Sequence, residues 1–171
     1  NAVFEKFKVN PFWKIFYSNP AHYAFETELT FLLQHYHQIK LSFEYSSSFV
    51  CDFSLLLDLA YADVTLQDSK KKAFLSVYDE AVKELPTPAL AIYLMCDPEI
   101  ELKRIRKRGR SVENSITIEF LRSLNLSLEK RVSDFHGNIL TIDSEHFNFA
   151  NDEQAQKKVI ELVQNSLPEL S

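Results

Sequence analysis

Residues Leu90–Cys96, Leu-Ala-Ile-Tyr-Leu-Met-Cys, form an unbroken apolar run of strand length, closed by Asp97-Pro98-Glu99. A half-exposed strand alternates polar and apolar residues, so a continuous run predicts a strand buried on both faces. The closing triplet predicts a helix start, with a capping side chain, a proline at the first position and an acid in the first turn. Buried strands that pass straight into helices belong to parallel sheets. The rest of the chain repeats this alternation. Strands are predicted over Val3–Phe7, Ser48–Phe53 and Ile139–Asp143. Helices are predicted from Asn10 to Tyr17, Pro20 to about Lys40, Ser54 to about Ala62, Asp68 to Leu85, Pro98 to about Arg108, Thr117 to Val132 and Asp152 to Leu167. The expectation is one α/β domain over residues 1–171, a parallel sheet covered by helices on both faces. Ligands of such sheets bind at the carboxyl ends of the strands, and Glu5, Asp52 and Asp97 fall at or near those ends.

Composition narrows the function. The chain has two glycines, Gly109 and Gly137, so no phosphate-cradling loop of clustered glycines lies within these residues. The net charge is -5, yet six of the eight residues Lys103–Arg110 are basic. Without that segment, 13 basic residues face 24 acidic ones. One concentrated cationic patch on an acidic chain expects a small anion such as a nucleotide phosphate. A nucleic-acid binder spreads basic charge over a face at high pI, whereas the pI here is about 5.6, so no nucleic-acid partner is expected. The densest apolar run, Leu55–Leu59, is broken by Asp58 and too short for a membrane span. No signal-peptide pattern opens the chain, and two cysteines suit a reducing, cytoplasmic compartment. The histidines offer no metal-ligand spacing: His35 and His37 are two apart on a helix and face different ways.

The basic segment carries a motif. Asp97-Pro98-Glu99 followed by Arg104-Ile105-Arg106-Lys107-Arg108-Gly109-Arg110-Ser111-Val112-Glu113 resembles the lid of the deoxynucleoside kinase family. Phe4-Glu5-Lys6-Phe7-Lys8-Val9-Asn10-Pro11-Phe12 resembles the family's second strand and its continuation. Val50-Cys51-Asp52-Phe53-Ser54 stands where the family has Asp-Arg-Ser or Glu-Arg-Ser. The resemblance spans nearly the whole chain. It implies a P-loop kinase fold of three layers and transfer of the ATP γ-phosphoryl group, with magnesium, to the 5′-hydroxyl of a deoxynucleoside. It also implies a homodimer packed through long helices, and a lid over about residues 103–116. The pattern is similar to the kinase domain found fused behind a pterin pyrophosphokinase.

The resemblance assigns roles residue by residue. Glu5 is the candidate base and Asp52 a candidate magnesium ligand or orienting group; Asp52 could equally cap the helix that starts at Ser54. Arg104, Arg108 and Arg110 are the lid candidates, since guanidinium groups bind phosphate bidentately and stay charged. Arg104 and Arg108, four apart, are expected on one helix face, and Arg106 and Arg110 on another. Tyr17 and Glu113 resemble the two residues around the deoxyribose, Glu28 stands where the family reads the base with glutamine, and Phe53 is a candidate pocket wall. An ionised Glu28 would accept hydrogen bonds and donate none. Two departures stand out: a strand-loop-helix unit of roughly 30 residues would have to precede Asn1, and the arginine of Asp-Arg-Ser is Phe53. Two rivals follow from them. One is a kinase-like dimerisation or regulatory domain without catalysis. The other is a nucleotide monophosphate kinase, against which Phe53 and Glu28 argue because an anionic acceptor needs cations.

Overall fold

The computed structural model describes residues 1–147 and 149–168. Short parallel strands alternate with helices: β1 (Ala2–Val3), α1 (Trp13–Phe16), α2 (Pro20–Tyr45), β2 (Val50–Cys51), α3 (Leu55–Thr65), α4 (Asp68–Lys83), β3 (Ala91–Met95), α5 (Pro98–Arg108), α6 (Ile118–Ser133), β4 (Ile139–Asp143) and α7 (Glu153–Ser166). Two 3-10 turns, Phe7–Val9 and Ser111–Ser115, flank the elements of interest. The parallel α/β architecture expected from the sequence is the one observed. The strands, however, pair two by two: β1 with β2 in the register Ala2↔Val50, and β3 with β4 in the register Ala91↔Ile139.

The first two strands are shorter than predicted. The backbone N–H of Glu5 turns aside to the Asp52 carboxylate, Oδ1, at 2.6 Å, and the chain then winds into the 3-10 turn at Phe7. Each departure removes ladder hydrogen bonds, and the pairing of β1 ends at Val3. The helix expected from Asn10 starts later, at Trp13. Asn10 itself is fully buried. Its Oδ1 accepts the Phe12 N–H and its Nδ2 donates to the Thr27 carbonyl, which anchors the segment before α1 onto α2. In the other direction α2 outruns its predicted end, because no breaker appears before Ser46. The strand read as buried on both faces is fully buried on neither: Ala91 and Tyr93 are half-buried on one face. On the other face Ile92 and Leu94 remain 41% and 48% exposed.

Phe16, Ala24, Leu32, Leu59, Ala62, Leu66 and Phe74 join the four helices α1–α4 in one core. Burying a Leu or Phe side chain contributes about 1.5–3 kcal/mol each. Asp63 on α3 ties that core to the second half of the chain. Arg131 of α6 grips it with Nε and Nη2, both at 2.7 Å, and Lys71 of α4 reaches it at 2.8 Å. Burial alone would raise the Asp63 carboxyl, but these cations hold it well below the usual carboxylate range. Among the described residues, no helix is long and apolar enough to cross a membrane.

Candidate functional site

The site forms where the residues after β1 and β2 meet the first helices and the turn after α5. Ser54 caps α3 itself, its Oγ accepting the Leu57 N–H at 3.2 Å. Asp52 is therefore not the cap. Its carboxylate instead takes the Glu5 backbone N–H and fixes the segment that carries the Glu5 side chain. Phe53 is buried and stacks on the His35 ring with centroids 4.2 Å apart.

Glu28 is 4% exposed. It accepts a hydrogen bond from the Thr65 hydroxyl, at 3.3 Å. Burial, reinforced by the nearby Asp58 carboxylate, pushes its carboxyl up to about 8. At neutral pH Glu28 is thus mostly protonated and offers one O–H donor and one carbonyl acceptor. The acceptor-only behaviour expected of an ionised Glu28 applies to the other protonation state, which no cation among the described residues favours. Tyr17 sits among the same groups. Burial, then the Glu113 and Glu28 carboxyls, push its hydroxyl up to about 12, with Glu5 adding to the rise and Arg108 opposing it.

Glu113, 4% exposed, lies on the 3-10 turn at Ser111–Ser115. Arg108 binds its Oε2 through Nη2 at 2.8 Å, and Arg110 binds its Oε1 at 3.3 Å. The pairing of arginines therefore differs from the expected helix faces. Gly109 takes a left-handed φ of 72° after the last turn of α5, as a C-terminal glycine permits, and the reversal swings Arg110 round to meet Arg108. Two guanidinium groups on one carboxylate leave one net positive charge for a ligand. The Arg110 guanidinium also lies 4.5 Å above the Phe7 ring. Arg104 is placed elsewhere: it donates to the Ser144 hydroxyl and carbonyl, at 3.1 and 2.8 Å, and so ties α5 to the end of β4. Arg106 caps the Glu113 and Ile116 carbonyls. Of the three candidate lid arginines, Arg108 and Arg110 come together and Arg104 does not join them.

Two site residues escaped the sequence reading. His35 on α2 and Asp58 on α3 are both buried, with His35 Nδ1 at 2.9 Å from Asp58 Oδ2 and Nε2 at 3.4 Å from Glu5 Oε1. Burial alone would lower the imidazole; the Asp58 and Glu5 carboxylates beside it outweigh burial and carry it up to about 9. A signal existed. Asp58 interrupts an apolar run, and His35 follows Glu28 by seven residues, two turns along one helix face.

Among the described residues, no group of three or more His, Cys, Asp or Glu could hold a metal by itself. Magnesium does not need one: it keeps water and phosphate ligands and takes one or two carboxylates. Asp52, half committed to the Glu5 N–H, fits such a role beside a nucleotide. A surface cleft of about 600 Å³ between α5 and α6, lined by Glu99, Lys103, Arg106 and Arg122, contains none of the clustered residues.

The sequence model of the deoxynucleoside kinase family matches residues 2–168. Among curated proteins, a deoxyguanosine kinase of Bacillus subtilis is 26% identical over 149 residues, covering 82% of this chain and 72% of its own length. A deoxyadenosine/deoxycytidine kinase of the same organism is 26% identical over 163 residues, covering 90% and 75%. Among solved structures, deoxyadenosine kinase from M. mycoides with the products dCMP and dCDP superposes with a TM-score of 0.81 at 22% identity, covering 97% of this chain and 86% of that one.

Proposed function

The chain belongs to the deoxynucleoside kinase family, and on that premise we propose that its site moves the ATP γ-phosphoryl group to the 5′-hydroxyl of a deoxynucleoside. The observation that carries the reading is the pairing of the motif arginines Arg108 and Arg110 on buried Glu113, in a turn whose Ser115 hydroxyl donates to the Tyr17 carbonyl at 2.7 Å. Phosphoryl transfer is chiefly positioning and charge stabilisation. In the proposed reaction Glu5 accepts the 5′-hydroxyl proton as that oxygen bonds to the γ-phosphorus, and the bond to the β,γ-bridging oxygen breaks to release ADP. Arg108 and Arg110 stabilise the charge that develops on the transferring group. Tyr17 and Glu113 line the deoxyribose, and protonated Glu28 meets the base with a donor and an acceptor. Magnesium, carried by the nucleotide phosphates and held by Asp52, would neutralise phosphate charge.

The remaining parts of the reading have separate support. No glycine-rich phosphate loop lies in residues 1–171, and among the described residues one edge of β3 is unpaired. Both are in keeping with an upstream strand and loop, in a longer polypeptide such as a pterin pyrophosphokinase fusion. Leu33, Leu41 and Phe43 on α2 are exposed, which suits a homodimer through long helices. A cytoplasmic location suits the substrates. The carboxyl-rich pocket disfavours a monophosphate acceptor. Incubating the intact polypeptide with ATP, magnesium and each deoxynucleoside tests the reading: it expects a 5′-monophosphate and ADP in equal amounts. Binding of deoxynucleosides without transfer would favour the non-catalytic alternative.

A further inference from the structure

His35 lies between two carboxylates and two aromatic rings. It is 3% exposed. Nδ1 sits 3.0 and 2.9 Å from the two Asp58 oxygens, and Nε2 faces Glu5 Oε1 at 3.4 Å. The ring stacks on Phe53 at 4.2 Å with planes 15° apart, and Phe31 lies 5.8 Å away on a similar tilt. These contacts leave the imidazole no freedom to turn. Nε2 is buried and makes no hydrogen bond of standard geometry to the described residues, although a buried polar atom without one is costly. A neutral imidazole has one N–H and would set a lone pair against one of the carboxylates; only the doubly protonated ring suits both. The titratable groups facing it are Asp58 from α3 and Glu5 from the segment after β1; Glu28, two turns earlier on α2, and Tyr78 of α4 each feel the Asp58 charge. No arginine is among these groups, and position 53, next to Asp52, carries a phenylalanine.

We propose that His35 is a positioning residue for Glu5: its Nε2–H holds one carboxylate oxygen of Glu5 and leaves the other for the acceptor hydroxyl, with Asp58 and Phe53 fixing the ring. The Glu5 side chain is 37% exposed and has room to move, and contacts of this kind tighten when substrate binds. The phenylalanine at 53 thereby becomes the platform for the cation that serves Glu5. The proposal rests on Glu5 being the base.

Two substitutions separate the two ring nitrogens. His35→Asn keeps a donor in reach of Asp58 and loses the one toward Glu5; His35→Gln does the reverse. A positioning role makes the orders cross in the intact polypeptide. His35→Asn is the more stable variant to urea, yet its kcat is lower than that of His35→Gln by about tenfold or more, with the nucleoside KM little changed. A purely structural salt bridge with Asp58 makes the two orders agree, and that result would overturn the proposal. Glu5→Gln keeps its failure distinct from failure of the premise. If Glu5→Gln abolishes turnover while the histidine variants follow stability, the base stands and the positioning role falls. If Glu5→Gln leaves turnover intact, both fall. A double-mutant cycle of Glu5→Gln with His35→Asn in urea stability reads the contact without catalysis; the proposal expects a coupling, and additivity contradicts it.

Discussion

Glu28→Gln is the perturbation whose size follows most directly from the structure. The carboxyl is buried, its usual value is 4.5, and burial beside Asp58 lifts it to about 8. Above 4.5 the unfolded chain releases this proton while the folded chain keeps it. Stability therefore falls as pH rises, by about 1.4 kcal/mol per unit. The fall begins near 4.5 and stops near 8, where both states are ionised. At pH 7 the loss relative to mildly acid solution is roughly 3 kcal/mol. A glutamine side chain cannot ionise in either state, so the variant lacks this slope. The assay is urea unfolding of both proteins across that pH range. The stability difference should widen in favour of the variant by about 1.4 kcal/mol per unit, then level off above about 8. A difference that stays constant with pH would refute the reasoning, since Glu28 would then ionise alike in both states. Function offers a parallel reading. Protonated Glu and Gln each present a donor and an acceptor. The ranking of deoxynucleosides should therefore match in the two proteins at neutral pH and diverge above about 8.

Other substitutions test other links. Arg108→Ala and Arg110→Ala should each lower kcat by about a hundredfold or more while the nucleoside KM changes little, as measured by steady-state kinetics. Each also strips a cation from buried Glu113 and should lower stability by about 1–3 kcal/mol in urea titration; adding Glu113→Gln should restore stability without restoring kcat. Gly109→Ala should lower the unfolding free energy by about 1 kcal/mol through its left-handed backbone alone, because an added Cβ meets no atom within 4 Å. No loss there would mean that α5 ends differently in solution.

Much of the fold was legible because helix signals are local. Pro20, Asp97-Pro98 and Gly109 set helix ends that the structure keeps. Strand length was less legible. Whether Glu5 continues a ladder depends on Asp52, 47 residues away, and no local pattern reports that competition. The candidate site was read in parts. Strand-end acids and the basic run drew attention by type and position. His35 did not, since a buried histidine on an apolar helix face usually fills space, and its partners come from other elements. The protonation of Glu28 is likewise a property of packing: sequence gives a carboxyl, and burial beside Asp58 makes it neutral.

The most direct test of the proposed activity is phosphoryl transfer by the intact polypeptide, compared with its Glu5→Gln variant, using ATP, magnesium and a panel of deoxynucleosides. The expected result is a deoxynucleoside 5′-monophosphate formed mole for mole with ADP, and its loss in a variant that still folds and still binds the nucleoside. Full activity without the Glu5 carboxylate, or no transfer to any deoxynucleoside by a polypeptide that carries a glycine-rich phosphate loop, would contradict it.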